Sequence, residues 1–194
     1  MTPETFRAAR RAAQPRFRKA ILADARITAE RRSERSQFTS PLDTVVQLLR
    51  LMGQSDAYLA QVCYRAKVAL QVRRIPVLPR ILHRLAMATA QVSIGDPVIV
   101  EPGVYFPHGQ VVIDGIVTVG SGTAISPWVT IGLRAGEFTG PTIGRNVRIG
   151  TGAKVLGGVT VGAGARIGAN AVVLGDVPAG ATAVGVPSRV IDGS

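Results

Sequence analysis

The chain has 194 residues, 46% of them hydrophobic, a net charge of +11 and a single cysteine, Cys63. Length and apolar content suit one or two globular domains, and one cysteine excludes both a disulfide framework and a cysteine-based metal cluster. No apolar run approaches the roughly 20 residues of a membrane span and no signal peptide is recognisable, so the expected address is the cytoplasm.

The charge is unevenly placed. Residues 1–90 hold 17 Lys/Arg against 6 Asp/Glu, whereas residues 91–194 hold 6 of each. The basic half has neither aromatic interleaving nor a nucleic-acid-binding motif. It reads as a solvated helical surface, with contact to an anionic membrane or polymer as the alternative.

In chain order, a basic helical segment is expected from about Pro3 to Arg35, broken near Pro15. In "SPLDTVVQLL", Ser40 suits an N-cap and Pro41 the first helical position. "SDAYLAQVCYRAKVALQV" begins a further helix after Ser55, with Leu59, Val62, Ala66 and Ala69–Leu70 at helical spacing. "PVLPRILHRLAMA" predicts a short helix after Pro76. Cys63 and His83 fall in these helices without metal-spaced partners and are read as packing or surface residues. Glycine marks a boundary near Thr89–Gln91. One glycine, Gly53, precedes it and 21 follow. The chain divides into an α-helical region, 1–90, and a second domain, 91–194.

That second domain has a period of six. Aliphatic residues fall at Ile143, Ile149, Val155, Val161, Ile167 and Val173. Four residues after each comes a small or β-branched one: Val147, Ala153, Val159, Ala165, Ala171 and Val177. The frame extends back through Ile131, Ile125, Val119 and Ile113, and an earlier frame of Ile94, Val100 and Phe106 is offset by one residue. No helix or simple strand repeats every six residues. A coil with three short flat faces does: the aliphatic residue points inward, and Gly, Asn or another small residue takes the corner. Three hexapeptides make one coil, stacked coils pair as parallel strands about 4.8 Å apart, and Ile94–Pro178 has room for about five.

The segments "FPHG", "ISPWVTIG", "GPTIGRNVRIGTGAKVLGGVTVG", "IGANAVV" and "VGVPSRVI" resemble the hexapeptide-repeat acyltransferases, and among them the serine acetyltransferase-like branch. "DAYLAQVCYRAKV" is similar to the helical region that precedes the repeat there. The resemblance implies a mainly β fold, a left-handed parallel β-helix of about five coils behind an α-helical N-terminal region. The hand comes from the resemblance alone, since the general crossover rule favours the opposite one.

The resemblance also implies the chemistry. His108, the only histidine in the repeat half, matches the general base of that branch, and an imidazole takes up and releases protons near neutral pH. The implied reaction is direct transfer from acetyl-CoA to a hydroxyl, with no metal and no covalent cysteine intermediate. Backbone N–H groups near Gly132 are the candidate oxyanion donors. Gly132, Thr151, Arg166, Ala169, Gly185 and Arg189 match positions along which CoA lies, the arginines being suited to its phosphates. A homotrimer is implied, with active sites in the grooves between prisms and a hexamer through the N-terminal helices as a further assembly. The interruption "LRAGEFTGP" (133–141) corresponds to a loop near the active site.

Two departures stand out. Ser93 occupies the place of an aspartate 15 residues before the base, leaving Ser93, Asp96, Glu101 and Asp114 as candidates to orient His108 or bind substrate. Gly140 stands where a second active-site histidine precedes Pro141–Thr142–Ile143. With only four residues after Val190, no tail of the kind that docks into cysteine synthase is expected. These departures point to an acetyl-CoA-dependent O-acetyltransferase acting on a sugar, polysaccharide precursor or specialised metabolite. Serine is the alternative acceptor and an amine a further one. A non-catalytic β-helix scaffold with a basic interaction region is the reading from another class.

Overall fold

The computed structural model describes residues 9–137 and 139–191; the start of the expected basic helix at Pro3 lies outside them. Residues 9–12 are helical, and four helices follow: α1 (Phe17–Arg31), α2 (Pro41–Gln54), α3 (Asp56–Val72) and α4 (Leu78–Ala90). The break at Pro15 separates the first two helical pieces. Ser40 caps α2 by accepting from the Asp43 amide, with Pro41 opening the helix. Ser55 ends α2 and caps α3 by accepting from the Tyr58 amide.

The expected apolar stripe of α3 is corrected by the structure. Leu59, Val62, Ala66, Ala69 and Leu70 are only half-buried, while Tyr58, Gln61, Cys63, Tyr64, Arg65, Lys67 and Val68 are buried. The reason lies below the helix. An isolated β-helix coil leaves carbonyls unpaired at its open end, and burying them without donors is costly. α3 supplies the donors. Gln61 Nε2 donates to the Val104 carbonyl at 2.8 Å, Tyr64 Oη to Val98 at 3.0 Å, Arg65 Nη1 to Val100 at 2.5 Å and Lys67 Nζ to Ile94 at 2.6 Å. Arg10 and Gln14 add bonds to the carbonyls of Pro97 and Val98. Arg65 is itself held by Asp24 of α1, through Nε–Oδ2 at 2.8 Å and Nη2–Oδ1 at 3.2 Å, and Asp24 also accepts from the Gly103 amide. The helices thus cap the first coil with polar side chains, which a search for apolar periodicity does not find.

The last helix ends at Ala90, and the first strand begins two residues later. Among the described residues, fourteen short strands run β1 (Val92–Ile94), β2 (Ile99–Val100), β3 (Val111–Ile113), β4 (Thr118–Val119), β5 (Ala124–Ile125), β6 (Thr130–Gly132), β7 (Thr142–Ile143), β8 (Arg148–Ile149), β9 (Lys154–Leu156), β10 (Thr160–Val161), β11 (Arg166–Ile167), β12 (Val172–Val173), β13 (Thr182–Val184) and β14 (Arg189–Ile191). They form three sheets, β1-β3-β6-β9-β12, β2-β4-β7-β10 and β5-β8-β11-β13-β14. All pairings are parallel except β13 with β14.

The register stacks the hexad residues in columns. Ile94, Ile113, Ile131, Val155 and Val173 align on the first face. Val100, Val119, Ile143 and Val161 align on the second, and Ile125, Ile149, Ile167 and Ala183 on the third. All are buried, and each such Val or Ile contributes about 1.5–3 kcal/mol. One continuous core joins these columns to Ala60, Tyr64 and Val68 of α3 and Ala86 and Ala90 of α4. The β13–β14 hairpin, which the repeat frame does not foretell, turns the chain back on the last coil.

Candidate active site

Three edges separate the three faces, and the edge between the third face and the first carries His108. Its corners stack in a column: Gln91, Gln110, Trp128, Gly152 and Asn170 all have φ between 53° and 75°. The Gln110 amide donates to Ala90 and the Trp128 amide to Gln110. Gly152 donates to Pro127 and Asn170 to Thr151 in the same way.

The "FPHG" segment is built to project its histidine. Phe106 is buried among the frame residues. Gly109 is squeezed under the end of α4, where a Cβ would sit 1.7 Å from the Ala90 carbonyl oxygen. The chain is fixed on both sides of His108, so its exposed side chain stands out from the corner. It faces a polar cleft of about 380 Å³ between the first two coils, the start of α3 and the ends of α1 and α4. Ser55, Asp56, Arg32, Gln91, Gln110 and Trp128 share its walls.

The other expected site residues divide by edge. Thr151 and Ala169 continue the His108 edge onto later coils, and both are exposed. Arg166 stands on the third face in register with Arg148 on one side and Thr182 on the other. Gly185, with φ of 96°, makes the turn from β13 to β14, and Arg189 pairs with Val184 across that hairpin. Gly132 ends β6 on a different edge, at the base of the 133–141 interruption. There Glu137 of that segment accepts from the Gly158 amide at 3.0 Å.

Ser93 lies half-buried in β1, opposite Val112. Asp96 and Asp114 are set apart from His108. They occupy the corner at the far side of the first face, where Asp114 packs over Gly95 and Asp96 Oδ1 lies 3.0 Å from Lys67 Nζ. Burial alone would raise the Asp96 carboxyl, but hydrogen bonds from Gln71 and Lys67 and the Lys67 charge outweigh it and hold it below its ordinary value. Within one chain the charges of both carboxylates act on His83, and Asp96 also on Lys67, away from the His108 edge.

Sequence reasoning missed Trp128 and Asp56 as neighbours of His108. The signal for Trp128 was present: the chain's only tryptophan occupies a corner slot that the other coils give to Gln, Gly or Asn, and it is 60% exposed. No sequence pattern links Asp56, 52 positions before His108, to this cleft.

The sequence model for the bacterial transferase hexapeptide (six repeats) family matches residues 140–175. Among solved structures, the soybean serine acetyltransferase apoenzyme is 30% identical, covering 93% of this chain and 71% of that one with a TM-score of 0.76. The soybean enzyme complexed with serine is 31% identical with the same coverage and TM-score. A serine acetyltransferase complex with CoA is 27% identical, covering 95% of this chain and 73% of that one with a TM-score of 0.74. A search of curated protein sequences returns no match. Fold and repeat define a hexapeptide-repeat acyltransferase, a left-handed parallel β-helix behind a helical N-terminal region. Within that class, the chain belongs to the serine acetyltransferase family.

Proposed function

We propose that the protein transfers an acetyl group from acetyl-CoA directly to the hydroxyl of L-serine, with His108 as general base. The observation that carries this reading is the fixed, outward-facing His108 at the mouth of a polar cleft, in a chain about 30% identical to serine acetyltransferases over 93% of its length. The imidazole takes the hydroxyl proton as the serine oxygen attacks the thioester carbonyl. The C–S bond then breaks, and the imidazolium returns the proton to the departing CoA sulfur. Asp56 and the cleft glutamines are available to hold the acceptor.

The residues expected along CoA fit such a ligand. Thr151 and Ala169 give the arm a low-relief edge leading away from His108. Arg148 and Arg166 stand in register on adjacent strands, and like charges so placed repel unless an anion lies between them. A CoA phosphate would relieve that repulsion.

His108 and Gly132 lie on different edges of one prism. Their separation supports a homotrimer, in which the His108 edge of one subunit faces the edge of its neighbour that bears Gly132 and the 133–141 segment. Oxyanion donors near Gly132 would then come from across the groove.

A second reading, a bulkier hydroxylated acceptor such as a sugar or specialised metabolite, draws on Ser93 and Gly140, which replace two substrate-handling groups, and on Trp128 in the cleft wall. Free CoA release distinguishes the two. Acetyl-CoA with sub-millimolar L-serine should give sustained turnover, and a sugar-nucleotide panel should not. Inert serine with an active panel member would transfer the proposal to the second reading.

A further inference from the structure

A second cleft, of about 590 Å³, opens between α3, α4 and the first coil, on the side of Asp96 and away from the His108 edge. Its volume is that of a small-molecule site. Lys67, Arg80, His83, Arg84 and Asp96 contribute its charged and titratable groups. The three permanent cations outnumber the single carboxylate, leaving two positive charges. Arg80 and Arg84 lie one turn apart on α4, and neither is ion-paired among the described residues.

Lys67 is the anchor. Its side chain is 3% exposed. Its ammonium has three donors, two of which go to the Ile94 carbonyl and Asp96. Val77 on the cleft wall adds backbone strain. At φ 65° and ψ −57° it forms a γ-turn closed by the Leu78 amide on the Pro76 carbonyl at 2.7 Å, a conformation that a β-branched residue rarely adopts. Such strain clusters at ligand sites.

We propose that this cleft is a binding site for a phosphate dianion, carried as the monoester of a small metabolite, distinct from the acetyl-transfer site. Two net positive charges match a dianion, and two guanidiniums with a buried ammonium supply charge-assisted donors. Ile75 and Val77 line the remaining space for the apolar part of an ester. Burial depresses the His83 pKa, Lys67 depresses it further, and Asp96 and Asp114 act in the opposite sense. A bound dianion adds negative charge beside it and raises that pKa.

The chain's two histidines separate this site from the acetyl-transfer site in one experiment. Imidazole NMR on the tag-free full chain, at constant ionic strength, follows His83 and His108 during titration with inorganic phosphate and, separately, phenyl phosphate. Saturable movement of the His83 resonance with a rise in its pKa, and no movement of His108, is expected with both. Tighter binding of phenyl phosphate would identify an ester, and equal binding the free ion. The exposed double substitution R80A/R84A should weaken binding at least about tenfold, the loss of roughly one charge-assisted contact, without lowering the melting temperature. A His83 resonance that stays stationary up to about 50 mM phosphate, roughly 50-fold above a millimolar Kd, or undiminished binding by R80A/R84A, would overturn the proposal. Neither result bears on His108.

Discussion

Arg65 is the residue on which the junction of helices and prism turns. Its guanidinium spends donors on Asp24, Val100 and Glu101 at once, at 4% side-chain exposure. A buried pair adds little net stability over an apolar isostere, yet removing one partner strands the other. Arg65→Ala should therefore cost about 3–5 kcal/mol in urea unfolding, since Asp24 would be left buried beside unpaired coil carbonyls. A loss below about 1 kcal/mol would mean that water replaces the guanidinium freely. Such residues set the limit of what the sequence discloses. Arg65 and Lys67 sit in a helix whose charges read as solvated, and only the open coil beneath explains their burial. His83 likewise reads as a lone packing residue until the first coil brings Asp96 to it. His108 was legible because Phe106 fixes its phase in the repeat and a family motif surrounds it.

At the scale of elements, two-residue strands have almost no stability of their own, and stacking supplies it. Ile149 pairs with Ile125 above and Ile167 below in one buried column. Ile149→Ala leaves a cavity between layers that cannot close without breaking both ladders, so a loss of about 2–5 kcal/mol is expected. Denaturant melts should show it as one cooperative transition at lower midpoint; a change under 1 kcal/mol would contradict the layered core. The six-residue period made this architecture readable in advance, because each inward position repeats with the same chemistry. The β13–β14 hairpin was not readable, since it follows the last hexad and obeys no period. The stripe assigned to α3 failed for a different reason: its neighbour demands donors, so polar residues turn inward.

The whole molecule displays surfaces that one chain leaves uncovered. Leu42, Val45, Val46 and Leu49 form a row at i, i+3, i+4 and i+7 on α2, each at least 51% exposed. This row suits the joining of two trimers through the helical regions that the family resemblance implies, and we propose α2 as that contact. On that proposal the native chain sediments as a hexamer and the double substitution L42E/L49E as a trimer in sedimentation equilibrium; the same mass for both would remove α2 from the assembly. The separation of His108 from Gly132 by edge makes the trimer a condition of activity in this account. The most direct test of its central claim, transfer of the acetyl group at His108, is single-turnover kinetics of His108→Ala with acetyl-CoA and acceptor, beside a direct measurement of CoA binding. A fall in the acetyl-transfer rate of about 10²–10⁴-fold with CoA affinity unchanged is the predicted result. Transfer at the native rate would contradict it.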